Sequence, residues 1–162
     1  MSREPREQII QDLFATLHET LAFFDRQEEV LGRAYAPGKW TIRQILVHLS
    51  DTEAVYIDRL RRLSAEEMPI LQAFDQDRRA AGLQYPKRDL NLAKHQYENA
   101  RRSVAELARL MPPQADSRTG THSEAGVRTF GQVLGGVVSH NLHHLEQLRA
   151  IDAGKTWTRA QS

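Results

Sequence analysis

Three of the chain's seven histidines fall in one short stretch, VVSHNLHHLEQLR (residues 137–149), at His140, His143 and His144. The stretch reads as helix, where residues four apart lie one above the other on the same face. His140 and His144 can therefore aim both imidazoles at one point and chelate a single ion. His143 lies to the other side of His140, because each residue turns about 100°. It can pair with His140 instead, but not join both neighbours on one ion. Two nitrogens are too few, since a stable transition-metal site takes three or four protein ligands.

A third ligand must come from elsewhere, and His48 is the candidate. It falls inside the apolar side of another helical stretch, where an imidazole left without a partner costs about 1–3 kcal/mol. A core histidine satisfied by some other polar group is the plainer reading of that position. With His48 added, His140 and His144 make a three-nitrogen set with one coordination position open, as in catalytic rather than structural zinc sites.

The chain has no cysteine. Thiolate ligands, disulfides and a cysteine nucleophile are excluded, so a metal site must use nitrogen and oxygen, and any thiol must come from outside. Ser139 beside His140 is not a nucleophile–base pair, because helix neighbours diverge by about 100°. Asp75 and Asp77 are candidates for a further ligand, against the usual solvation of loop carboxylates. Asp51, Glu146 and Gln147 are placed to orient the ligand histidines from behind. Trp40 and Tyr56 either line a substrate pocket or fill the core or an interface. His18, His95 and His122 read as structural or surface residues.

Four long helical patterns position these groups, over residues 6–31, 42–63, 90–111 and 130–152. Each keeps apolar residues at steps of three and four. Thr41, Asp89 and Thr129 are expected N-caps, and Pro112 and Pro113 end the third helix. On that helix the apolar stripe is read as Leu92, Gln96, Ala100, Val104, Leu107 and Met111. Residues 64–88 read as a crossover with a short helix near 70–81, and residues 114–128 as a mobile loop. The loops at 68–86 and 112–128 are candidate lids. Gly135 and Gly136 are costly in mid-helix and suggest close approach of a neighbouring helix. The fold class expected is an all-α four-helix bundle with a long crossover between helices 2 and 3.

At 162 residues, 40% apolar and 27% charged, the chain suits one soluble domain spanning 1–162. A net charge of +1 (22 basic less 21 acidic) offers nothing to nucleic acid. No apolar run approaches the roughly 20 residues of a membrane span. Neither a membrane nor a secretory segment is legible, so a cytoplasmic protein is expected.

Two segments, GKWTIRQILVHLSDTE (residues 38–53) and LGGVVSHNLHHLEQL (residues 134–148), resemble the signature segments of the DinB-like superfamily. The intervening AFDQDRRAAG (residues 73–82) is similar to that group as well. The resemblance implies an up-up-down-down type of bundle, often a homodimer, with one metal-ligating histidine on the second helix and an H-x-x-x-H pair on the fourth. On this chain those positions are His48, His140 and His144, with His143 a neighbouring non-ligand. It further implies a divalent transition metal, zinc or nickel foremost, a small-molecule substrate, and transfer of a low-molecular-weight thiol cosubstrate to an electrophile. Metal-dependent hydrolysis is the second expectation, and a non-catalytic, metal-stabilised stress-related protein the third.

Overall fold

The computed structural model describes residues 3–158. In chain order the elements are α1 (Arg3–Phe24), α2 (Glu28–Leu31), α3 (Ile42–Ala65), β1 (Ile70–Leu71), α4 (Gln76–Gly82), α5 (Leu90–Leu110), β2 (Thr119–His122), β3 (Gly126–Thr129) and α6 (Phe130–Asp152). The long helices α1, α3, α5 and α6 form the bundle.

All three expected caps are formed. Thr41 and Thr129 each close a reciprocal capping box, with Gln44 and Gln132, and Asp89 accepts from the Leu92 amide at 2.9 Å. The first helix stops at Phe24 rather than continuing to residue 31. The chain turns extended at Gln27 and restarts as the single turn α2, which sends Leu31 into the core. The polar run DRQEE at residues 25–29 has no apolar face to hold a continuous helix against the bundle.

α3 packs against both α5 and α6, and so does α1. Cross-helix contacts give the directions. Arg26–Asp152 and Arg149–Glu19 bring the C-terminal ends of α1 and α6 together. Lys94–Asp25 sets the start of α5 against the end of α1. Gln96 on Ser50 and Arg101 on Glu53 run α3 and α5 in the same direction. The order is up, down, down, up, a cyclic shift of the expected up-up-down-down pattern. Because α3 and α5 are parallel, the chain between them must climb back along the length of the bundle.

That climb is pinned to α3 by arginines. Arg62 donates to the Ile70 carbonyl and Arg59 to that of Gln72, Arg79 of α4 pairs with Asp51, and Arg43 reaches the Arg88 carbonyl. The crossover helix begins at Gln76, not near residue 70, because Ile70 and Leu71 form a strand. Residues 114–128 are also more ordered in pattern than a loop. They hold a short 3-10 turn and then β2 and β3, paired antiparallel, with β1 parallel to β2. Gly120 makes the junction fit: a Cβ there would lie 2.7 Å from the Pro69 carbonyl oxygen.

The face of α5 differs from the one its hydropathy suggests. Ala93, Tyr97, Arg101, Val104, Ala105 and Ala108 point inward, while Leu92 is 67% exposed. Buried acceptors on α3 and α6 draw Tyr97 and Arg101 inside and set the rotation of the helix. This polar layer lies between two apolar clusters: Glu53 falls between Leu49 and Ile57, Arg101 between Tyr97 and Val104, and Asn141 between Val138 and Leu145.

Candidate metal centre

His48 sits two turns into α3, and His140 and His144 one turn apart on the facing side of α6. One ring nitrogen from each of the three lies within 4.8 Å of the other two. His48 Nε2 and His140 Nε2 are 3.1 Å apart. Two nitrogens each about 2.0–2.1 Å from one tetrahedral ion are separated by about 3.3 Å, so the pair is already near ligand spacing. His48 and His144 are 1% and 5% exposed, and His140 is half-buried.

The electrostatics suit a cation. Burial lowers the His48 pKa to about 3, with further lowering from His144 and Arg79. Burial likewise lowers His144 to about 4 and takes His140 well below the usual imidazole range. All three rings are therefore neutral near pH 7, with lone pairs free for coordination. Gln147 Oε1 accepts from His144 Nδ1 at 2.7 Å, which fixes the tautomer and leaves Nε2 as the ligand atom. The donor set fits a divalent transition metal.

His140 and His144 open onto a cavity of about 720 Å³, lined among others by Tyr35, Lys39, Trp40, Tyr56, Asp77, Ser139 and His143, while His48 lies buried behind them. Trp40 stacks tilted on His48 with centroids 4.9 Å apart, and Tyr56 flanks His140 at 5.8 Å. Both aromatics thus form pocket wall as well as packing. A Cβ on Gly136 would meet the Tyr56 ring at 3.6 Å, an ordinary contact, and one on Gly135 would meet nothing within 4 Å. The close approach of a neighbouring helix expected at this pair is therefore not found. Trp157, beyond α6, stands edge-on to Tyr35 at 5.6 Å and to His143 at 5.0 Å.

The remaining sequence candidates fall elsewhere. Asp75 caps α4, accepting from the Asp77 and Arg78 amides, and Asp77 is an exposed residue on the cavity wall. Asp51 turns away from the histidines and holds Arg79 and the Tyr85 hydroxyl, tying the crossover over the site. Glu146 is exposed, as are His18 and His95. His122 is half-buried, and its Nδ1 accepts from the Glu124 and Ala125 amides in the hairpin turn. Of the two candidate lids, the crossover contributes Gln76 and Asp77, but residues 112–128 line none of this cavity. Residues 35–40 supply the wall in their place.

The polar layer beneath the site went unread in the sequence. Arg101 binds Glu53 and Asn141, Tyr97 donates to Asn141 at 2.7 Å, and Asn141 donates to Thr20 at 3.0 Å. Asn141 stands between the two ligand positions of α6, so the layer fixes the rotation of the helix that carries them. A signal was available in Arg101 and Glu53, charged residues at inward positions of amphipathic helices.

The model of the DinB superfamily matches residues 11–148. The chain belongs to the DinB superfamily. Among DinB-like relatives, a protein of Oceanobacillus iheyensis provisionally named a metal-dependent hydrolase is 28% identical over 91% of this chain and 84% of its own length. A similarly named protein of Bacillus mycoides is 21% identical over 93% of this chain and 85% of its own. YfiT from Bacillus subtilis, described as an unusual four-helix bundle and provisionally as a metal-dependent hydrolase, superposes with a TM-score of 0.87. It covers 94% of this chain and 89% of its own at 21% identity, a likeness of fold.

Proposed function

We propose that His48, His140 and His144 hold a divalent metal, zinc or nickel foremost, and that the protein is an enzyme transferring a low-molecular-weight thiol to a small electrophile. The observation that carries this reading is a neutral three-imidazole cluster, two of whose rings line a 720 Å³ cavity, in a chain with no thiol of its own. When bound there, a divalent cation supplies a Lewis acid that lowers the pKa of a thiol or water brought to the open position. A free thiol of pKa about 8.5 is only a few per cent ionised at neutral pH. The chain's part is positioning: Gln147 orients His144, and Trp40 and Tyr56 shield the histidines on two sides. The cavity lies within the roughly 300–1,000 Å³ of small-molecule sites. The thiol sulfur forms the new bond, the leaving group departs with its electron pair, and the thiol proton passes to solvent.

The names of the relatives favour a second reading, metal-dependent hydrolysis. Metal-loaded protein given an electrophile that fluoresces on thiol addition separates the two, with glutathione, mycothiol or bacillithiol present or absent and His48→Ala as the blank. Thiol-dependent signal lost in the blank is the expected result. Metal-dependent turnover of a hydrolysable substrate with water alone would favour the hydrolase instead.

We also infer a homodimer from the family likeness, and propose a cytoplasmic location. No helix among the described residues is long and apolar enough to cross a membrane. Sedimentation at the 18.5 kDa of one chain would contradict the dimer.

A further inference from the structure

Tyr56 follows His48 by eight residues and Thr52 by four, so the three share the face of α3 that looks toward α6. Opposite, Gly136 and His140 are four apart and share the facing side of α6. A Cβ built on Gly136 would lie 3.6 Å from both Cε1 and the hydroxyl oxygen of Tyr56. The hydroxyl therefore rests against α6 one turn before His140, and Tyr56, Gly136 and His140 all line the same cavity. Among the described residues it has no hydrogen-bond partner. Arg59 places its guanidinium carbon 5.9 Å from the Tyr56 ring centroid.

We propose that the Tyr56 hydroxyl is half of an anion-binding position. It donates a hydrogen bond to the negatively charged donor atom, of a thiolate, carboxylate or similar ligand, that occupies the coordination position left open by the three histidines. The proposal rests on the metal reading above but not on the reaction class. Its ground is geometric: an O–H without a protein acceptor, beside His140, on the wall of the cavity that His140 and His144 also line. Such a donor favours ionised ligands over neutral ones of the same size, because a hydrogen bond to a charged acceptor is worth about twice one between neutral groups.

The test uses the full chain loaded with cobalt(II), whose visible spectrum reports the ligands of the ion, titrated with azide and separately with imidazole. Tyr56→Phe keeps the ring and removes only the hydroxyl. The expected result is a Kd for azide raised at least fivefold, with metal content, melting temperature and imidazole affinity as in the parent. An azide Kd within fivefold of the parent at equal metal content overturns the proposal. So does an equal loss of imidazole affinity, which would make the ring rather than the hydroxyl responsible. A parent protein that takes up no cobalt overturns the metal reading and this proposal with it, and metal analysis distinguishes that failure from the other two.

Discussion

Arg101 on α5 and Glu53 on α3 meet in the middle of the bundle, with Nε–Oε1 at 2.6 Å and Nη2–Oε2 at 2.9 Å, their side chains 1% and 3% exposed. The other Arg101 donors reach the Leu13 carbonyl, Thr16 and Asn141, so one side chain ties together all four long helices. A fully satisfied buried pair contributes little net stability over an apolar one, but breaking it strands a charge. Glu53→Ala and Arg101→Ala are each expected to destabilise the fold by about 3–5 kcal/mol in chemical denaturation. Replacing both with apolar residues of similar volume should recover most of that loss. Single variants that each cost under about 1 kcal/mol would show that the pair is not sealed as described.

In the proposed metal site Gln147 acts through His144, whose Nδ1 it holds. Gln147→Leu keeps similar bulk but removes the acceptor of the Nδ1 proton, so metal affinity should fall about tenfold to a hundredfold. Competition against a chelator of known affinity measures it. Unchanged affinity would mean that the tautomer is set by something other than this 2.7 Å contact.

The lowered imidazole pKa values fix a pH dependence. In the metal-free protein the unfolded histidines titrate near 6.5, while folded His144 and His48 do so at about 4 and about 3. The unfolded state binds more protons in between, so stability holds above about pH 6.5 and is lost as pH falls through that window. For the same reason metal binding at pH 7 should release well under one proton per histidine, because the ligands are already neutral. Calorimetry in buffers of different ionisation enthalpy counts those protons. Release of two or more would contradict the neutral cluster.

Much of the bundle was legible because apolar steps of three and four and short-range caps are local signals. Thr41, Asp89 and Thr129 start the helices they were expected to start, and His48, His140 and His144 converge as their faces suggest. What escaped depends on partners distant in sequence. Arg101 counts as polar and turns α5 outward in any hydropathy reading, yet Glu53, 48 positions away, draws it in. Ile70 becomes a strand only because β2 passes beside it. Trp157 reaches the cavity region through Tyr35 and His143, a contact that nothing near it in the chain announces.

The proposed chemistry depends on one ion held by His48, His140 and His144. Elemental analysis of the purified parent and of four single variants tests it most directly. About one divalent ion per chain is expected in the parent and in His143→Ala, and little or none in His48→Ala, His140→Ala or His144→Ala. Full metal in His144→Ala with loss in His143→Ala would contradict it and move the chelate to the His140–His143 pair.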